Sequence, residues 1–326
     1  MEEMLDNFSN NYSSQRAFIR ESSSEGMDYS AHQSFVTSLM NNKMISFCII
    51  LSLVVFFSVI LGEKGKIFSR LTPRLRGEVT LPNNYVITSI DKKYPFLIKK
   101  NDPRIARQVR YKGSVESMFD NAAFNLCTKG DTVVEVGAHY GYNPIMLGQI
   151  LKMNGKYIAI EGISDSARCM YKNIVLNDLS DTVEVVKIAA ADHKGTCDIG
   201  DDVLINPDDE SDSAVASKSL IVECDTLDNI LKDKEVTLIL IDIPGAVFEV
   251  VRGAKNVIDR ADKLRLLASL DTDKIDKTIN ISEDLADLRQ RGLKFYEVTS
   301  PTEIKEISID EIINRKKLIL LMKKEN

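Results

Sequence analysis

Chemistry is most concentrated in "DTVVEVGAHYGYN", residues 131–143. An apolar run through Val133, Val134 and Val136 carries an acidic Glu135, then breaks into Gly137, Ala138, His139, Tyr140 and Gly141. A strand, a glycine turn and a helix start leave backbone N–H groups unpaired at the helix N-terminus, where they attract the anionic group of a ligand. Asn143 reads as the N-cap of that helix and Pro144 as its first helical residue. The second glycine of a GxGxxG dinucleotide fingerprint is missing. The remaining ExGxxxG pattern fits a plain tight corner as well as a cofactor wall. Two more carboxylates bear on the choice. "YIAIEG" ends on Glu161, from which a carboxylate can accept both hydroxyls of a ribose, and "KIAAAD" ends on Asp192, suitably placed near an adenine amino group. Each alone also describes a solvated strand end. Three acidic groups at the ends of three consecutive strands make coincidence less attractive.

The elements that must hold these residues follow from periodicity. "YVITSI" and "YPFLI" form a hairpin or edge pair, and Val115, Met118, Phe119, Ala122 and Leu126 stand at helical spacing behind a Ser114 cap. Strands at 132–136, 157–161, 182–190, 236–242 and 264–270 then alternate with helices at 144–152, 165–177 and 246–258, which implies βαβ units and a parallel sheet. "VTLILI" is apolar at nearly every position, as a central strand covered on both faces should be. "LADLRQRGLKFYEVTS" gives a helix ended by Gly292 and a strand, and "KLILLMKK" a further strand, so the C-terminal edge should be antiparallel. The expected fold is α/β: a doubly wound, mostly parallel sheet of seven strands that binds its ligand where the strand order reverses.

Composition sets the outer limits. The chain has 326 residues, 44% hydrophobic and 28% charged, with a formal net charge of −6. One substantial core is affordable, and the acidic balance argues against nucleic acid as the partner. The five cysteines, Cys48, Cys127, Cys169, Cys197 and Cys224, lack metal-ligand spacing and read as free thiols in a reducing compartment. "MISFCIILSLVVFFSVILG", residues 44–62, holds no ionisable group and as a helix would span roughly 28 Å, close to a bilayer core. The expectation is a transmembrane helix, with a disordered tail at 1–43 before it and a basic juxtamembrane linker at 63–84 after it. Lys64, Lys66, Arg70, Arg74 and Arg76 then place the domain at 85–326 on the cytoplasmic side. Asn7 and Asn11 lie in NxS sequons, read as chance in an Asn/Ser-rich tail. The acidic stretch 206–219 reads as a loop between strands.

Taken in order, "DTVVEVGAHYGYN", "GKYIAIEG", "NIVLNDLSDTVEVVKIAAADHKG", "CDTLDNIL" and "LILIDIPGAVFEVVRGAKNVI" resemble the FkbM family of methyltransferases. The resemblance covers about residues 111–300. It implies a Rossmann-like class I fold and S-adenosylmethionine as cofactor. It also implies that the turn at Glu135, Gly137, His139 and Gly141 holds the methionine part, that Glu161 binds the ribose, and that Asp192 lies beside the adenine.

The departures fall where chemistry is expected. The family often has "KIDVEGAEYEVLKGA" after its fourth strand; here Leu240, Asp242, Pro244 and Val247 stand in that frame. The next strand offers Ser269 and Asp271 where many members have Glu and His. Methyl transfer needs the acceptor oxygen aligned and its proton removed. Asp242 is the best remaining base, with His139 and His193 behind it. The plainer alternatives are that His139 orders the turn, His193 is surface, and Asp242 caps the following helix. The sequence shows no metal requirement, because Asp242 alone is not a coordination sphere. Two functions stay open: a membrane-anchored O-methyltransferase acting on a hydroxyl of a glycan, lipid-linked sugar or other small acceptor, and a weakened methyltransferase fold serving as a membrane-tethered binding module.

Overall fold

A computed structural model describes residues 78–102, 105–115, 117–199, 220–243 and 245–324. The expected tail, the expected span at 44–62, most of the linker, the acidic stretch 206–219 and Pro244 lie outside the described residues. Among the described residues no helix is long and apolar enough to cross a membrane. That finding corrects the single-pass membrane location expected from residues 44–62.

The described chain opens with an antiparallel ribbon of β1 (Val79–Leu81), β2 (Tyr85–Ile90) and β3 (Tyr94–Lys99). The alternation in "YVITSI" turns Val86, Thr88 and Ile90 inward. Because β1 pairs with β2, ordered pairing begins inside the stretch expected as linker. After α1 (Ala106–Lys112), α2 (Met118–Leu126) starts at Ser117 and not at Ser114. The Ser117 hydroxyl accepts from the Asp120 amide at 3.0 Å, a cap that Ser114 is three residues too early to supply.

Strands and helices then alternate through β4 (Thr132–Val136), α3 (Tyr142–Leu151), β5 (Lys156–Ile160), α4 (Ser164–Leu176) and β6 (Val183–Val186). The strand expected at 182–190 divides. Its second part, β7 (Ala189–Ala190), pairs with β9 (Ile221–Asp225) in a small sheet completed by β8 (Gly195–Asp198). Next come α5 (Leu227–Leu231), β10 (Leu238–Ile241), α6 (Val247–Arg252), α7 (Lys255–Arg260), β11 (Arg265–Asp271), α8 (Ile281–Gln290), β12 (Leu293–Ser300), β13 (Glu303–Glu306), α9 (Ile309–Ile313) and β14 (Lys317–Lys324).

The main sheet runs β13-β12-β14-β11-β10-β4-β5-β6. The five strands from β11 to β6 are parallel, while β14 is antiparallel to both β11 and β12 and β13 is antiparallel to β12. The expected seven-stranded, mostly parallel sheet is thus corrected to a mixed sheet of eight. The extra strand escapes periodicity because all four β13 residues are exposed and carry no apolar alternation. From β4 the order steps outward both to β5 and to β10, so the C-terminal ends of those strands face the point where the winding reverses.

The pleat splits each central strand between two cores. Val134, Val136, Ile239 and Ile241 pack toward Leu227, Phe248, Val251, Val257 and Leu285. Val133, Leu238 and Leu240 pack toward Phe119, Ile145, Met170 and the ribbon's Phe96 and Ile98. Both faces are covered, which is why "VTLILI" shows no alternation.

The single helix expected at 246–258 is broken into α6 and α7 around Gly253. A Cβ built there would lie 2.0 Å from the Ala191 carbonyl oxygen, and the Gly253 carbonyl itself accepts from the Asp228 amide at 2.9 Å. Backbone approaches backbone, so no side chain can give way. Gly253→Ala should therefore lower stability by about 1–3 kcal/mol, read as a thermal midpoint several degrees below that of the parent. An unchanged midpoint would mean that the segment relaxes freely.

Candidate functional site

The glycine turn joins the C-terminal ends of β4, β5 and β10. Gly137 and Ala138 both donate their amides to Ile160 O, at 3.0 and 3.2 Å, and Asp242 donates its amide to Val136 O at 3.1 Å. Gly137 has φ +87°, and a Cβ on it would meet Ile243 Cγ2 at 2.6 Å and Asp242 O at 3.1 Å. Only glycine fits both that dihedral and that approach. The N-cap of α3 is Gly141, at φ +86°, in place of the expected Asn143.

His139 carries a positive φ of 50°. Its amide donates to Glu161 Oε2 at 2.9 Å, and Ile163 N donates to Oε1 at 2.7 Å. One carboxylate thereby ties the turn to the start of α4. Each Glu161 oxygen keeps a second lone-pair site for a ligand hydroxyl. The His139 ring lies with Nε2 3.3 Å from Asp102 Oδ2 and its centroid 4.0 Å from that of Tyr140. These contacts order the turn.

Asn143 is freed from capping and does something else. Its Nδ2 donates to Glu135 Oε1 and to Asp120 Oδ1, both at 2.9 Å, while Tyr157 Oη donates to Glu135 Oε2 at 2.7 Å. Glu135 is 3% exposed beneath the turn. Burial pushes its carboxyl up to about 8, with the charges of Asp120 and Asp242 acting in the same direction against the bonds from Asn143 and Tyr157. Burial also raises Asp120. The pair sits below the turn as a hydrogen-bonded support in which Glu135 holds its proton.

Asp242, just beyond β10, is exposed, and Asp271 ends the neighbouring β11. Asp271 is 7% exposed, with Oδ2 3.2 Å from Lys317 Nζ and Oδ1 lacking a hydrogen-bond partner among the described residues. Leu240 and Val247, the positions where the sequence lacks charge, are fully buried in the two cores. Asp192 follows β7 in the small sheet. Its contacts are His193 Nδ1 at 2.8 Å and Arg252 at 4.0 Å, and His193 is more than half exposed. The turn, Glu161 and Asp242 thus form one contiguous cluster, while Asp192 is held from the α6 side.

Asn173 is a positioning residue that periodicity does not reveal. Fully buried on α4, it accepts from Leu97 N at 2.6 Å and donates to Leu97 O at 2.9 Å and Tyr140 O at 2.8 Å. It locks the ribbon and the glycine turn to one helix. Its only sequence signal is a polar residue within the apolar run "YKNIVL". Asp120 and Tyr157 likewise give no local hint of their partners. A separate cavity of about 260 Å³, lined by Thr88, Lys92, Arg110 and Lys112, lies between the ribbon and α1, away from this edge. Arg110 there is engaged by Glu78 at 2.7 and 2.9 Å. The strand-end cluster, which joins the glycine turn, Glu161 and the exposed Asp242, is the better candidate.

Residues 135–290 match the family described as Methyltransferase FkbM domain. No curated protein matches the chain in sequence. Among solved structures, a SAM dependent methyltransferase from Aquifex aeolicus is 14% identical at TM-score 0.36, covering 63% of this chain and 89% of its own. A SAM-dependent O-methyltransferase from Thermotoga maritima is 12% identical at TM-score 0.40, covering 76% and 95%. An rRNA methylase from Streptococcus thermophilus is 11% identical at TM-score 0.39, covering 64% and 94%. Likenesses this distant carry no argument about reaction or acceptor.

The buried Glu135 makes stability depend on pH. Folded, its carboxyl holds a proton up to about 8, whereas its ordinary value is 4.5. Between those values only the folded state binds the proton, so this contribution is complete below the lower value and declines until the upper one. Thermal melts should show the parent losing stability from pH 5 to pH 8, and Glu135→Gln losing distinctly less. Parallel curves for the two proteins would refute a protonated Glu135.

Proposed function

We propose that this chain, an S-adenosylmethionine-dependent methyltransferase by its FkbM domain, methylates a hydroxyl oxygen of a small acceptor such as a glycan or lipid-linked sugar. The observation that carries the reading is the join at the switch point. The buried Glu161 carboxylate and the glycine turn, linked through the His139 amide, meet the end of β10 where Asp242 stands exposed.

The residues present fit the cofactor. Glu161 is fixed by two amides yet retains acceptor sites, which suits the paired hydroxyls of a ribose. The turn from Gly137 to Gly141 would carry the methionine part, supported from beneath by Glu135 and Asn143. Asp192 would lie on the adenine side. When bound, S-adenosylmethionine supplies a methyl group already activated on a sulfonium.

What the chain adds is alignment and a base. Asp242 takes the proton of the acceptor hydroxyl as the oxygen gains its methyl group. Its carboxylate stands exposed one residue beyond β10, at the edge where an acceptor would arrive. Of the four framed positions at 240, 242, 244 and 247, only Asp242 is ionisable.

Calorimetry on the full chain should register binding of both S-adenosylmethionine and S-adenosylhomocysteine. Glu161→Gln should weaken both by about tenfold or more. Asp242→Asn should leave those affinities intact while lowering methyl transfer to a panel of sugar acceptors by about a hundredfold. Lack of binding at millimolar cofactor, or full transfer by Asp242→Asn, would defeat the proposal.

A further inference from the structure

Four side chains, two on β8 and β9 and two on the segment between β7 and β8, form a connected line outside the strand-end cluster. The two strands are antiparallel, with Gly195 opposite Cys224 and Cys197 opposite Val222. The cysteines are therefore diagonal neighbours on one face of the ribbon. Cys224 Sγ lies 3.7 Å from His193 Nε2, and His193 Nδ1 lies 2.8 Å from Asp192 Oδ1.

Each link has a chemical consequence. The Asp192 carboxylate accepts from Nδ1 and raises the imidazole above its ordinary value, with a bond to Thr196 acting the same way. Nε2–H is then left to face the Cys224 sulfur. An imidazole N–H at that distance can stabilise negative charge on the sulfur as it reacts. Cys197 behaves oppositely. Burial, and next the neighbouring Cys224, push it up to about 12, so it keeps its proton. Cys127 and Cys169 serve as contrasts, since burial raises both and neither has an imidazole among its acting neighbours. Cys224 is 2% exposed, but the line opens to solvent through His193 and the partly exposed Cys197.

We propose that Cys224 is a peroxide-sensitive modification site, activated by the Asp192–His193 pair and resolved by Cys197 into a disulfide linking β8 to β9. The Cys224 thiolate attacks one peroxide oxygen and the O–O bond breaks. The departing hydroxide takes the proton from His193 and leaves as water, with a sulfenic acid on Cys224. Cys197 sulfur then attacks the Cys224 sulfur, the S–O bond breaks, and a second water leaves with the Cys197 proton. Two thiols lose two electrons in total, and the peroxide gains them.

Trypsin separates the two cysteines, cutting after Lys194, Lys218 and Lys232. The full chain is treated with hydrogen peroxide and digested without reductant. Peptides 195–218 and 219–232 should then run as one species, two hydrogens lighter than their sum and split by dithiothreitol. In Cys197→Ser, dimedone should label Cys224 as the trapped sulfenic acid, while Cys127 stays unmodified. His193→Gln should slow Cys224 oxidation by about tenfold or more. The linked species in the parent supports the proposal without depending on any variant. Its absence, dimedone falling on Cys127 or Cys169 ahead of Cys224, or an unchanged rate in His193→Gln would overturn it.

Discussion

A buried carboxyl group governs the active edge of this protein. Glu135 sits in the second-to-last position of the central strand β4, where the pleat points it into a core and not toward solvent. An ionised carboxylate there would be costly, so it holds its proton and takes bonds from Tyr157 and Asn143. Satisfying Glu135 places Asn143 inside the first turn of α3, which leaves Gly141 to begin that helix in a left-handed conformation. The shape of the glycine turn follows, and with it the direction of the His139 amide toward Glu161. Asp120 ties α2 to the same point through Asn143.

The opposite end of the sheet is held by a different kind of contact. Arg265 Nη2 lies 2.5 Å from Asp131 Oδ1, Thr237 Oγ1 donates to the same oxygen at 2.7 Å, and Arg265 Nη1 reaches Leu126 O at 2.6 Å. Burial opposes ionisation of Asp131, but the bonds from Thr128, Thr237 and Arg265 prevail and hold it below the usual range. The starts of β4, β10 and β11 are thus clamped by charge, whereas their ends are supported by a neutral acid. At that end Glu161 is held by the backbone amides of His139 and Ile163.

Much of this was legible in the sequence because the relevant signals are local. The run from Thr132 to Val136, the apolar "LILI" and the alternation in "YVITSI" name their own elements, since a strand buried on two faces and one buried on one face differ in pattern. The carboxylates at 135, 161 and 242 were recognisable as strand-end groups for the same reason. Other features left no local trace. β13 has no buried position, so hydrophobic periodicity cannot see it. The break at Gly253 is caused by a carbonyl sixty-two residues earlier, at Ala191, and Asn173 is required by Leu97 and Tyr140.

The sequence by itself determined the alternation of elements, the glycine turn and which carboxylates stand at strand ends, because these depend on residue type and spacing along a few neighbours. Tertiary structure alone decided what each carboxylate is. Glu135 and Glu161 both belong to apolar runs, yet one is a protonated support within β4 and the other is held by two backbone amides just past the end of β5. Both are buried, so the difference arises from their partners: the side chains of Asn143 and Tyr157 reach Glu135, whereas the backbone amides of His139 and Ile163 hold Glu161.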